Sequence, residues 1–451
     1  MTDQRIRGGN DLHNSSYVVH PGLVKPPIHC LPTADTSAWT DAVAETDGLP
    51  IRDSGPWIET KHRLLDYWRA PAVISPNNFV YKSLSNWAFN LAVGCAHACR
   101  FCYVPGAATN KLAPFLRAAG VTDPDGAWGD YLFLRPWDEA RFLASMHAAE
   151  RTPAVDLKPD GNRAVIYCST TDPYQAIHDP DPARQRELAA HARWLVRRSL
   201  ELIRDRSTLN VRILTRSPLA RADFELFRSF GPRLVFGMSL PTLRNDLARV
   251  YEPRAPAPSQ RLATLRAARA AGLHVFVAIA PTYPECDEDD LRHTLAAVAA
   301  LDPITIFHEP INVRAANVVR IERFAQRLGV QIKTGVFAER SRWLAYAMQA
   351  LQTVEGLAKE LGVSDRLHLW PDKSLGSAAA LRALHGSDAD AARRHVGWLH
   401  GWWSRVSAWP KGEQSCPLHQ PRAEPGSGAR RDPRSPHGNG RQVRFQRTAT
   451  A

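Results

Sequence analysis

Three cysteines crowd into one short stretch of this 451-residue chain: Gly94-Cys95-Ala96-His97-Ala98-Cys99-Arg100-Phe101-Cys102-Tyr103. The spacing C-x3-C-x2-C puts three thiolates on a single loop, where they can converge on one inorganic centre. Soft sulfur ligands select iron–sulfur clusters, zinc or copper. Structural zinc wants four ligands. No second cysteine pair follows at finger spacing, and His97 sits awkwardly between two of the thiols. A [4Fe–4S] cluster held by three cysteines keeps one iron open for a substrate or cofactor, which is the chemically informative reading. The chain has seven cysteines in all, an odd number and a poor disulfide framework. Cys30, Cys286 and Cys416 have no partner spacing and read as bystanders.

The elements that must position this loop alternate in type. Short apolar runs at 87–93, 164–167, 211–214, 234–238, 275–280 and 304–308 predict strands. Between them, helical periodicity covers 184–203, 259–271 and 287–301, with Ser259 as the expected N-cap of its helix and Gly272 as its stop. Six such units predict a parallel sheet with outer helices, because parallel neighbours need crossovers. A doubly wound sheet and a complete or partial β/α barrel both satisfy the pattern. The cysteine loop follows the first run, so it is expected at the carboxyl edge of the sheet, where α/β folds place their chemistry. A strong amphipathic helix is expected over 341–361, then a strand at 366–370.

The motif C-x3-C-x-aromatic-C, with Phe101 as the aromatic, resembles that of the radical S-adenosylmethionine (radical SAM) superfamily. The flanks look most like its spore photoproduct lyase-related branch, in Asn90-Leu91-Ala92-Val93-Gly94-Cys95-Ala96-His97-Ala98-Cys99, Thr171-Asp172-Pro173-Tyr174-Gln175 and Glu252-Pro253-Arg254-Ala255-Pro256. The resemblance implies a [4Fe–4S] cluster on Cys95, Cys99 and Cys102, and S-adenosylmethionine on the open iron. It further implies reductive cleavage to a 5′-deoxyadenosyl radical and a reductant such as flavodoxin or ferredoxin. It also decides the fold: an α/β chain with a partial (β/α)6-type TIM barrel over 81–320. An irregular N-terminal arm over 1–80, a C-terminal α/β extension over 321–410 that closes the barrel, and a disordered basic tail over 411–451 complete the expected organisation. Too few cysteines remain for a second cluster.

Further candidates sit at expected strand ends. Gly94 gives the loop room to turn. Ser169, Thr170 and Asp172 could bind the ribose or ammonium of S-adenosylmethionine, or simply cap a turn. The branch implies a basic residue at Arg216 for the methionyl carboxylate, for which a guanidinium suits, and a cofactor-contacting serine at Ser239. Cys168, beside Ser169, matches the place of a thiol that returns hydrogen to a substrate radical; an inert buried cysteine is the plainer alternative. His308 and Glu309 could serve as acid–base or ribose-binding groups, or form a structural pair. Trp398, Trp402, Trp403 and Trp409, with Arg405 and Lys411, could stack nucleobases or form the apolar face of a terminal helix, the favoured option. Lys and Arg number 57 against 45 Asp and Glu, a net charge of +12. Five of those charges belong to residues 421–451, where seven Arg stand against Glu424 and Asp432. The substrate is therefore open between a nucleic acid or nucleotide lesion and a small molecule or peptide, and a non-enzymatic metal protein is the third alternative. No run is long enough for a membrane helix, the first ten residues are polar, and a cytoplasmic protein is expected.

Overall fold

The computed structural model describes residues 64–77, 85–107, 110–158 and 162–405. Most of the expected arm, with Cys30 and Trp57, and the whole expected tail, with Cys416, fall outside these residues, as do Trp409 and Lys411.

Among the described residues eleven strands form two sheets: β1 (Leu64–Tyr67), β2 (Ile74–Pro76), β3 (Trp87–Phe89), β4 (Ala92–Gly94), β5 (Tyr131–Leu134), β6 (Ala164–Tyr167), β7 (Asn210–Thr215), β8 (Leu234–Ser239), β9 (Val275–Thr282), β10 (Thr305–Pro310) and β11 (Leu367–Leu369). The larger sheet runs β11-β10-β9-β8-β7-β6-β3-β2, and the smaller β1-β5-β4. From β3 to β11 every pair in the larger sheet is parallel; β2 alone is antiparallel, paired with β3. The order does not close on itself, so the barrel is partial.

The helices that position the site are α1 (Glu139–Glu150), α2 (Pro182–Arg206), α3 (Asn245–Tyr251), α4 (Pro258–Ala270), α5 (Glu288–Ala299), α6 (Asn317–Leu328), α7 (Arg340–Glu360), α8 (Ala378–His385) and α9 (Ala389–Trp403). Side chains alternate across each strand, and this sorts the core. In β8, Leu234, Phe236 and Met238 enter the large cluster shared with the helices, while Val235 joins Phe276, Ala278, Phe307 and Trp370 on the opposite, interior face. Gly237 shares that interior face, and a Cβ there would stand 2.3 Å from the Phe276 ring.

Three expectations change. The run 87–93 is two strands in two sheets. Asn90 sits at the break, and its Oδ1 accepts from the Thr170 amide and hydroxyl, both at 3.0 Å. The cysteine loop thus leaves the smaller sheet, from β4, and not a strand of the main one. Helix α4 is capped at Ala257 with Pro258 in its first turn, not at Ser259. Gln260 supplies the missing side-chain cap, accepting from the Ala257 amide at 3.0 Å. Finally, residues 64–77 of the expected arm contain β1 and β2, and Trp68 is buried against Phe133 with ring centroids 5.7 Å apart.

The tryptophans near the C-terminus pack as a helix face. Trp398 donates to Glu355 of α7 at 2.9 Å, Trp403 donates to the Pro371 carbonyl at 3.0 Å, and Arg405 lies over Trp402. Among the described residues no helix is long and apolar enough to cross a membrane.

His308 is fully buried on the helix side of β10. Its Nδ1 lies 3.0 Å from both the Ile279 carbonyl and the Thr282 hydroxyl. Burial pushes the pKa of His308 down to about 4, and that of His368 likewise. Both are neutral in the folded state, whereas the unfolded chain takes up protons near pH 6.5. Their contribution to stability is therefore complete above about pH 6.5 and lost as pH falls toward 4, at about 3 kcal/mol per histidine. Urea denaturation at pH 7 and pH 4.5 should show His308→Asn losing less stability on acidification than the parent protein; an identical loss would refute this assignment.

Candidate functional site

The loop from Cys95 to Cys102 has almost no regular structure, so its backbone must find partners elsewhere. Gly94 starts it at φ +94°, with its α-carbon so close to β5 that a Cβ would meet the Tyr131 carbonyl at 2.2 Å. The segment after β6 then straps the loop down. Thr171 Oγ1 donates to the Gly94 carbonyl at 2.6 Å, and Gln175 Oε1 accepts from the Ala96 amide at 2.5 Å. Nε2 of His97 lies 3.2 Å from Oδ2 of Asp172.

Asp172 is the hub. It accepts from Thr215 Oγ1 at 2.7 Å and from the amides of Tyr174 and Arg216 at 2.8 and 2.9 Å. Burial alone would raise its pKa, but His97, Thr215 and the Tyr174 amide outweigh it and hold the carboxyl below its usual value. With both oxygens engaged by protein groups, this carboxylate positions the loop, and it also lines the cavity described below.

A second buried arrangement backs Cys99. Glu252 sits between two guanidiniums, 2.5 Å from Arg216 Nε and 2.5 Å from Arg261 Nη1. Arg261 also donates to the Ser239 carbonyl at 3.2 Å and the Pro256 carbonyl at 2.8 Å. Two cations against one anion leave a net positive charge beside Cys99, while Cys95 faces the carboxylate of Asp172. Burial opposes the charge on Arg216, but Cys99 and Glu252 more than offset it, so its pKa rises. The three thiols themselves are pushed up by burial, Cys99 to about 12.

On one side of this assembly lies a cavity of about 300 Å³, lined by Cys95, Cys99, Phe101 and Cys102 and by Cys168, Ser169, Thr170, Asp172, Arg216 and Ser239. The structure thus brings these candidates to one cavity, which Glu309 also lines; Gly94 and His308 do not line it. His308, next to Glu309, points the other way. Ser169 accepts from Asn90 Nδ2 at 3.3 Å and keeps its own hydroxyl proton to donate. Cys168 holds a left-handed backbone, φ +48°, which is costly for a residue with a Cβ and turns β6 out of its ladder at the cavity. Its thiol pKa is raised by burial. Cys286 lies elsewhere, bonded to Asp290. Glu252, Arg261, Gln175 and Trp370 belong to the site or its support without having been singled out. The first three stand in or near the quoted motifs, which was the available signal.

Among the described residues no three His, Cys, Asp or Glu side chains gather as a single metal ion requires. A [4Fe–4S] cluster is wider and takes one thiolate at each of three corners. Three soft thiols around one cavity, beside a net positive charge, are a donor set that fits it.

The radical SAM superfamily model matches residues 89–298, which span β3 to α5. The chain is 31% identical over 274 residues to the uncharacterized protein ORF301 of Acidianus two-tailed virus, covering 57% of this chain and 80% of that one. An uncharacterized protein of Mycobacterium tuberculosis is 24% identical over 291 residues, 60% of this chain and 76% of that one. Among solved structures, spore photoproduct lyase complexed with dinucleoside spore photoproduct is similar, with 13% identity, coverage of 68% and 81%, and a TM-score of 0.45. The chain belongs to the radical SAM superfamily. It is an enzyme of that class, and the class works with a [4Fe–4S] cluster and S-adenosylmethionine.

Removing the central anion should leave two buried guanidiniums facing each other. Glu252→Gln is expected to destabilise the metal-free protein by about 3–5 kcal/mol, read from its urea midpoint; a variant as stable as the parent would show that the three charges are not coupled.

Proposed function

We propose that Cys95, Cys99 and Cys102 hold the cluster at the cavity wall, and that S-adenosylmethionine and substrate share the cavity in front of it. The observation that carries this reading is the single cavity lined by all three motif cysteines together with Phe101, Arg216 and Ser239. When bound, the cluster supplies the electron that splits S-adenosylmethionine into methionine and a 5′-deoxyadenosyl radical able to take hydrogen from a substrate. Arg216 is gripped through Nε by Glu252, which leaves the other edge of its guanidinium to receive the methionyl carboxylate. Ser169 and Ser239 offer hydroxyls to the cofactor, and Phe101 lies against the Arg216 guanidinium, 5.7 Å from ring centre to carbon. Asp172 acts one step back, by fixing the loop and the Arg216 backbone. Ile166, Leu214, Ala278, Ala280 and Trp370 keep the interior dry, which protects a radical from side reactions.

For the substrate we favour a nucleic acid or nucleotide lesion. Trp370 and Tyr103 offer aromatic surface for stacking, and the Arg314–Asp372 ion pair adds polar groups to the same cavity. The oxygen-labile cluster suits a reducing cytoplasm, and a flavodoxin or ferredoxin is the proposed electron donor. Cys168, whose thiol meets the cavity, is the proposed hydrogen donor that quenches the substrate radical.

Anaerobic reconstitution should yield about four iron and four sulfide per chain and 5′-deoxyadenosine under reduction. Ala at Cys95, Cys99 or Cys102 should abolish both, and persistence of 5′-deoxyadenosine would overturn the ligand assignment. With a lesion-bearing oligonucleotide turned over in D2O, the parent enzyme should place deuterium in the product and Cys168→Ala should not. Equal labelling by the two enzymes would remove Cys168 from the reaction.

A further inference from the structure

Helix α6 covers the cysteine loop on its outer side. It grips three successive loop carbonyls: Arg320 Nε donates to that of Arg100 at 3.3 Å, Asn317 Nδ2 to that of Phe101 at 3.1 Å, and Arg320 Nη2 to that of Cys102. Neither Arg100 nor any residue of α6 lines the cavity, so this is a separate approach to the same three cysteines.

The outward face of the helix differs from its inner one. Val319, Arg323 and Arg327 recur every four residues and are exposed, with Val319 at 41%. Arg100, between Cys99 and Phe101, reaches up to this face. Its guanidinium and that of Arg327 both lie on the Phe324 ring, 4.5 and 5.4 Å from the centroid. Arg254 and Arg327 are close enough for their charges to act on Arg100, as is the carboxylate of Asp130. Arg254 is neutralised by Asp130, and Arg320 by Asp125. Among the described residues no carboxylate forms an ion pair with Arg100, Arg323 or Arg327. A small apolar spot with unneutralised cations beside it suits a transient, electrostatically steered encounter with an acidic surface.

We propose that this face, α6 with Arg100, docks an acidic one-electron donor protein of the flavodoxin or ferredoxin kind. The inference rests on the reading of Cys95, Cys99 and Cys102 as cluster ligands. S-adenosylmethionine and substrate fill the cavity side, so the electron arrives through the loop's other side, where Arg320 bridges α6 to the Cys102 backbone. The donor loses one electron and the cluster gains one; no proton moves and no bond is made or broken in this step.

The test uses the reconstituted full chain and R323E/R327E, which alters neither the cavity nor the loop's hydrogen bonds. Binding of oxidised flavodoxin and of oxidised ferredoxin is measured by calorimetry at low and high salt. Formation of 5′-deoxyadenosine is measured with each photoreduced donor and with dithionite. The parent protein should bind one of the donors in a salt-dependent way. In R323E/R327E that binding and the donor-driven rate should fall at least about tenfold, with the dithionite-driven rate unchanged. Equal binding by the two proteins, no binding of either donor by the parent, or an equal loss with dithionite would each overturn the proposal. So would a variant that loses affinity for a single-stranded oligonucleotide while keeping that for the donors, which would assign the face to phosphates. Failure of dithionite on the parent protein would instead sink the cluster assignment.

Discussion

A buried carboxylate that serves four partners is the constraint on which the site is built. Asp172 is held by His97 from the cysteine loop, Thr215 and the Arg216 amide from the end of β7, and the Tyr174 amide of its own segment. An ion left unpaired at this depth costs several kcal/mol, so none of these contacts is optional for the others. Because the loop lacks a ladder of its own, its path depends on interlocking with two strand ends of the larger sheet. The smaller sheet then exists to deliver Gly94 to that junction from the other side.

Charge is arranged with the same economy. The Glu252 bracket ties the end of β7 to the start of α4 and, through Arg261, to the carbonyl of Ser239. One cation is thereby in surplus at the place where soft anionic ligands gather. On the far side, Arg320 makes the same kind of link between α6 and the loop carbonyls. The cysteines are thus enclosed between two guanidinium-based clamps, one beside the cavity and one buried beneath α6.

Much of this was legible in the sequence. The spacing of Cys95, Cys99 and Cys102 announced the chemistry, and the short apolar runs marked the parallel strands because strands buried on both faces carry few polar residues. That same property hid the phase: an apolar run on both faces does not say whether His308 or Glu309 turns toward the interior. Nor did it show that Asn90 breaks the run 87–93, since the break depends on Thr170, eighty residues away. The strand at β5, four apolar residues long, has no period to separate it from a buried helical turn. The segments around Thr171 and Glu252 were recognisable as motifs, but their meaning as strap and bracket is tertiary.

Every strap on the cysteine loop runs from protein to protein: Thr171 to Gly94, Gln175 to Ala96, Asp172 to His97, and α6 to the carbonyls beyond. The path of the thiol loop is therefore tied at once to the strand ends of the larger sheet and to α6. A change in any one strap is felt along the whole loop, because the loop has no ladder of its own to absorb it.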